Sequence, residues 1–276
     1  MTIELAVGAP TTMLPELCPL GGIELCFAHL LSGDAEPYRA YYARARSSGR
    51  FVILDNGIME RGVAASLPEI VAVLAGFRPA LVTPPEVLHD AGETLRLTEQ
   101  FASCLREGDE PSVTGLLGAA HGSSFHEWCR CFEGLRRVPE VKRIGIPYDV
   151  RFDVQTATDS FHPLQRLVVR RIELCEWIAR MHPDASVHLF GLAHPSELVT
   201  QRHHAFVASI DTSLPVMAAA HGIRYAADDP GPYEKFFLDV SLPWDSVTIA
   251  IAQHNIRVMT DRWLSPDGNA HDTRAL

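Results

Sequence analysis

The chain has 276 residues, 47% of them apolar, and a formal charge of −10 at pH 7. That is enough apolar material for one large α/β domain or two small ones, with no low-complexity or solenoid-length repeat to suggest otherwise. No net basic footprint of the usual nucleic-acid-enzyme kind is present, and no stretch approaches the roughly 18 uninterrupted apolar residues of a membrane span.

The opening residues MTIELAVGAP carry an acid and no basic segment, so a signal peptide is not expected and the expected location is cytoplasmic. From there, short apolar runs alternate with amphipathic segments of helical length. Ile23 to Leu31 reads as a strand and Glu36 to Ser48 as a helix; Phe51 to Asn56 as a strand and Leu67 to Phe77 as a helix. Ala80 to Glu86 is a predicted strand, and Ala91 to Glu107 a helix with Asp90 as its N-cap. Val113 to Ala120 (strand), Ser124 to Arg137 (helix), Arg143 to Pro147 (strand) and Pro163 to Met181 (the longest helix) follow. Val187 to Leu192 and Val207 to Ile210 are strands, followed respectively by helices at Pro195 to Arg202 and Leu214 to His221, and Val247 to Trp263 is a last helical segment. Seven strands are clear, and either Ile3 to Val7 or Ile223 to Ala226 supplies an eighth. This length and rhythm predict a single-domain (β/α)8 TIM-like barrel over residues 1–264. A polar tail from Ser265 to residue 276, with Pro266, Asp267 and Gly268, is expected to be disordered.

The six cysteines form no disulfide framework. Cys129 and Cys131, the one close pair, would point about 200° apart on a helix and could not readily share a metal, so no metal site is expected. Three basic clusters (Arg39, Arg44, Arg46, Arg50; Arg136, Arg137, Lys142, Arg143; Arg166, Arg170, Arg171) read as solvated helix faces more readily than as phosphate sites. No HExxH, GxSxG, Walker loop or dinucleotide fingerprint is present, and no cofactor is called for.

The candidate chemistry lies at predicted strand ends. FVILDNG is a buried strand stopping at a tight turn, and SIDTSLP repeats the pattern, which puts Asp55 and Asp211 where barrels place ligands. Two carboxylates facing one ligand can divide the labour of glycosyl transfer, one at the electron-poor carbon and one moving protons. Asn56 and Gly57 share the first tip. Glu86, after two prolines, could accept hydrogen bonds from a purine-like edge, and His121 ends an apolar strand before Gly122. Gly145 and Gly191 could bring strand-end backbone close to a flat ligand, whereas His188, inside VHLFG, is expected to face the barrel interior or a helix.

The ordered blocks FVILDNG, TPPEVLHD, GAAHGSSFHEWCRCFEGL, VKRIGIP, HLFGLAHPSEL and SIDTSLP, spanning roughly residues 50 to 215, resemble the tRNA-guanine transglycosylase superfamily. The likeness is strongest to its short phage and actinobacterial branch, associated with 7-deazaguanine bases in DNA. The resemblance implies a base-exchanging pentosyltransferase working through a glycosyl-aspartate. Asp211 would match the nucleophile and Asp55 the proton-moving aspartate. Glu86 falls where the family has an aspartate that reads the base, and His121 where it often has a glutamine. Gly145 and Ile146 would match a backbone contact to the base, and Gly191 a glycine turn. The family's CxCxxC…H zinc insertion is missing here, which argues against tRNA docking in that mode and against the dimer interface that leans on it, leaving any homo-oligomer open. The substrate expected is a purine or 7-deazapurine nucleoside unit, with guanine in DNA as the first reading. The alternatives are a nucleoside or nucleotide glycosidase or base-exchange enzyme acting on small molecules, and a non-catalytic base-binding barrel.

Overall fold

Eight short strands, all parallel, run in the order β1-β8-β7-β6-β5-β4-β3-β2 in a computed structural model that describes residues 3–33, 35–107, 115–232, 234 and 244–265. They are β1 (Glu4–Val7), β2 (Glu24–Phe27), β3 (Val52–Asp55), β4 (Leu81–Val82), β5 (Gly115–Ala119), β6 (Val141–Pro147), β7 (Val187–Phe190) and β8 (Val207–Thr212). A parallel bridge between Ala6 and Ile23 brings β1 against β2 and makes the sheet a nearly closed barrel. The fold is therefore the expected (β/α)8 barrel, with its first strand supplied by residues 4–7. Residues 223–226 form no strand; the Tyr225 N–H is held by Asn255 Oδ1 at 2.8 Å.

Helices follow the strands in turn: α1 (Leu14–Leu17) after β1, α2 (Ala28–Ser32) and α3 (Glu36–Ser47) after β2, α4 (Ile58–Arg61) and α5 (Leu67–Leu74) after β3. Then come α6 (Ala91–Glu107), α7 (Phe125–Arg136), α8 (Pro163–Met181), α9 (Glu197–Gln201), α10 (Leu214–Ala220) and α11 (Ser246–Val258). Local chemistry sets their starts. Asp90 Oδ1 accepts from Glu93 N–H at 2.9 Å, as expected of an N-cap, and Ser124 Oγ accepts from Glu127 N–H at 3.3 Å. Ser66 and Glu69 form a reciprocal capping box at the start of α5.

Two apolar layers result from the two-residue period of the strands. Ala6, Ile23, Ile53, Leu81 and Leu117, with Phe51 and Phe190 against them, fill the barrel. The alternate residues, such as Leu5, Val52, Leu54, Leu116 and Ile210, pack outward against the helices.

Four elements differ from expectation. The strand expected over 23–31 ends at Phe27, and residues 28–32 turn instead into the short helix α2. β4 is only two residues long because Pro84 and Pro85 have no N–H to extend the ladder beyond the Thr83 N–H to Leu54 carbonyl bond of 2.8 Å. Gly57, at φ 71°, starts an unexpected single turn, α4, that ends at Gly62, φ 74°. The last helical segment is α-helical only to Val258 and continues as a π-turn over Met259–Trp263, from which the Trp263 indole N–H reaches the Ala227 carbonyl at 3.0 Å. Of the C-terminal tail, only Ser265 lies within the described residues. No helix among them is long and apolar enough to cross a membrane.

Candidate active site at the strand tips

The strand registers pair Asp55 with Phe27 and Asp211 with Ala6, so both carboxylates leave the same end of the barrel. Asp55 is 8% exposed, and its Oδ1 accepts the Gly57 N–H at 2.7 Å. Burial, then the charges of Glu60 and Glu86, push its carboxyl well above the ordinary carboxylate range, and Asp211 adds to the same push across the mouth. Asp55 is thus a buried acid whose surroundings favour its protonated form.

Asn56 is fully buried and joins this tip to the next. Its Nδ2 donates to the Pro84 carbonyl at 2.7 Å and to Glu86 Oε1 at 3.1 Å, while its Oδ1 accepts from Ile58 N–H at 3.0 Å. The other oxygen of Glu86 accepts from His121 Nε2 at 3.0 Å. Each carboxylate oxygen therefore has one donor and retains a lone pair. Behind His121, its backbone N–H donates to Cys131 Sγ at 3.4 Å, and burial pushes that thiol up to about 11, so it remains a neutral packing group. Gly57 is required where it stands: beyond its positive φ, a Cβ there would lie 2.5 Å from His29 Nδ1.

On the opposite wall, Asp211 has a side chain 23% exposed. Its Oδ1 accepts two donors, the Gly191 N–H at 3.0 Å and His188 Nε2 at 3.1 Å. Gly191 makes its turn at φ 61°, where a Cβ would stand 2.8 Å from the Tyr148 ring. Arg171 locks that turn from behind. Wholly buried on α8, it donates to Glu197 through Nε (2.6 Å) and Nη2 (2.8 Å), and to the carbonyls of Ile146 (3.3 Å), Phe190 (2.9 Å) and Gly191 (2.9 Å).

The expected residues thus fall into two groups. Asp55, Asn56, Gly57, Glu86 and His121 form one hydrogen-bonded wall, and Asp211 and Gly191 form the other. Gly145 and Ile146 belong to neither. Both are buried, the Gly145 carbonyl accepts the Ala120 N–H at 2.9 Å, the Ile146 carbonyl faces Arg171, and the Phe190 ring covers the Cα of Gly145.

Neither a protein-family model nor a curated protein matches this chain.

The structure also brings in residues that sequence reasoning left outside the site. His188 faces the barrel interior, one of its two expected directions, but is also bonded to Asp211. The two-residue period could have shown this, since His188 and Phe190 share a face, as do Ser209 and Asp211. His89 has the one non-glycine positive φ among the described residues, 63°, and its ring meets His121 edge-on at 6.4 Å. No sequence signal marks that conformation. No group of His, Cys, Asp and Glu among the described residues is arranged to hold a metal ion.

Proposed function

We propose that this protein transfers a pentosyl group, exchanging a purine or 7-deazapurine base on a ribose or deoxyribose through a covalent glycosyl-Asp211 intermediate. The observation that carries this reading is the unequal pair at the barrel mouth: Asp55, a buried acid whose surroundings favour its protonated form, opposite Asp211, whose carboxylate is partly exposed and clamped on one oxygen. Environments that separate two carboxyl groups in this way assign the acid and the nucleophile. The ordered sequence resemblance to the transglycosylase superfamily points to the same two residues.

In the forward half-reaction an oxygen of Asp211 bonds to the anomeric carbon as the bond to the base nitrogen breaks, and Asp55 gives its proton to the departing base. In the return half-reaction the incoming base gives a proton to the Asp55 carboxylate and its nitrogen displaces Asp211. Water in place of that base would make the outcome hydrolysis. Glu86, steadied by Asn56 and His121, offers its free lone pairs to N–H groups on the base edge.

Guanine in DNA is the substrate that the resemblance suggests. A second reading, a free nucleoside or nucleotide, is favoured by a specific observation: members of all three basic clusters are already paired with acids. Arg50 pairs with Glu24 at 2.6 Å, Arg136 with Asp184 at 3.0 Å, Arg170 with Asp153 at 2.7 Å, and Arg171 with Glu197 at 2.6 Å.

Intact-protein mass spectrometry after incubation with guanine- or deazaguanine-containing DNA, and separately with free nucleosides, tests the reading. The expected outcome is a mass increase that maps to Asp211, disappears when free base is added and is missing in Asp211→Asn. Full exchange activity in Asp211→Asn would refute the mechanism. Tight base binding with no adduct from any substrate would point instead to a non-catalytic barrel.

A further inference from the structure

Beneath Asp211 an unbroken line of polar groups crosses the barrel interior. Arg143 on β6 donates through Nη1 to Ser209 Oγ at 2.7 Å, Ser209 Oγ lies 2.7 Å from His188 Nδ1, and His188 Nε2 lies 3.1 Å from Asp211 Oδ1. Ser209 and His188 are both fully buried. Arg143 is held in turn by Ser186 Oγ at 3.3 Å and lies over the Phe51 ring, 5.3 Å from its centroid.

The two ends fix the direction of every bond between them. A guanidinium can only donate and an ionised carboxylate can only accept. Asp211 therefore requires a proton on His188 Nε2. Burial holds His188 below the ordinary imidazole range, against the opposing pull of Asp211, so Nδ1 carries no proton and must accept. Among the described residues, the group placed to donate to it is the Ser209 hydroxyl, whose oxygen already accepts a hydrogen bond from Arg143. Because arginine does not release its proton, the line cannot conduct one; what it can do is orient.

We propose that His188 is a positioning residue, held as the Nε2–H tautomer by Ser209 and Arg143, and that with the Gly191 N–H it immobilises Asp211 Oδ1 so that Oδ2 is the attacking oxygen. The role of Oδ2 rests on the base-exchange reading, whereas the tautomer does not. No donor among the described residues reaches Oδ2, which leaves it able to meet an anomeric carbon. A carboxylate with one oxygen fixed loses less orientational freedom on reaching the transition state.

The test uses the full chain with 15N-labelled histidine, comparing wild type, Ser209→Ala and the hydroxyl-retaining Ser209→Thr. Long-range 1H–15N spectra should show His188 of the wild type as a single Nε2–H tautomer, and a mixture in Ser209→Ala. Base exchange in Ser209→Ala should fall about 10- to 100-fold in kcat, the range typical when the orienting partners of metal-ligating histidines are removed, with KM for the base unchanged. Ser209→Thr should restore both signatures, which a general loss of packing would not allow. An Nδ1–H tautomer in the wild type, or an unchanged spectrum and kcat in Ser209→Ala, would overturn the proposal. If the wild type exchanges no base, the functional reading falls, and the spectra alone still decide for or against the tautomer.

Discussion

At Asp55, burial of the carboxyl costs the fold stability. Its carboxyl is buried among Glu60, Glu86 and Asp211, so its folded-state pKa is raised and the folded chain holds a proton that the unfolded chain releases. Below the ordinary carboxylate range both states are protonated and the site costs nothing. As pH rises from that range towards the raised value, the unfolded state ionises first and stability is lost. Asp55→Asn, which keeps an acceptor for Gly57 N–H but cannot titrate, should therefore have a higher Tm than wild type at pH 7, and the difference should vanish as pH falls below the ordinary carboxylate range. Thermal melts over that range check this, and equal Tm values at pH 7 would show that folding does not raise the Asp55 carboxyl. Asp55 and Asp211 themselves are legible in sequence, because an apolar run ending in an acid and a turn marks a strand tip. Their environments are not legible: Glu60 becomes a neighbour only through the α4 turn, and His188 reaches Asp211 only through the pairing of β7 with β8.

At the scale of elements, the tips of β6 and β7 are fastened to α8 and α9 by the buried Arg171–Glu197 pair, with every guanidinium nitrogen engaged. In sequence Arg171 reads as part of a basic helix face, beside Arg166 and Arg170. Helical periodicity identifies α8 but not which of its arginines turns inward towards three carbonyls. Arg171→Met should lower the free energy of unfolding by about 3–5 kcal/mol, because it leaves the Glu197 carboxylate in the interior without its cation; urea denaturation at pH 7 measures it. A loss under about 1 kcal/mol would mean that water or Gln201, 3.1 Å from Glu197 Oε1, takes over the vacated role. The alternation of strands and helices is legible because each strand is a short apolar run with a polar end. β4 and the π-turn after α11 are less so: paired prolines stop β4, and the π-turn carries Trp263, whose contacts to Ala227 and Tyr225 are long-range.

For the whole molecule, the charge of −10 and the direction of the strands say where a polymer could lie. Arg44, Arg46 and Arg50 precede β3, and Arg136, Arg137 and Lys142 precede or begin β6, so these six residues sit towards the end of the barrel away from Asp55 and Asp211. Near the mouth, Arg151 pairs with Asp149 at 2.9 Å, and Arg166 donates to the Asp159 carbonyl at 2.6 Å. Binding of duplex DNA, measured between 50 and 200 mM salt, should accordingly show a log–log slope shallower than about −2, few phosphates being neutralised. A slope of roughly −5 or steeper would establish a phosphate track and return DNA to first place.

The barrel is least firmly joined where β1 meets β2. Elsewhere around the ring, neighbouring strands pair over two or more residues, but here the Ala6–Ile23 bridge stands alone, with an Ile23 N–H to Leu5 carbonyl bond of 3.3 Å. Gly21 allows this approach, since any Cβ there would collide with the Leu5 carbonyl. Asp211 on β8 and Asp55 on β3 flank that seam, one strand beyond it on either side. Breathing of the joint would therefore change the spacing of the two acids. Amide hydrogen exchange should find the Ile23 N–H less protected than those of β7 and β8, and a base held between the two walls should slow it, acting as a clasp across the loosest stave.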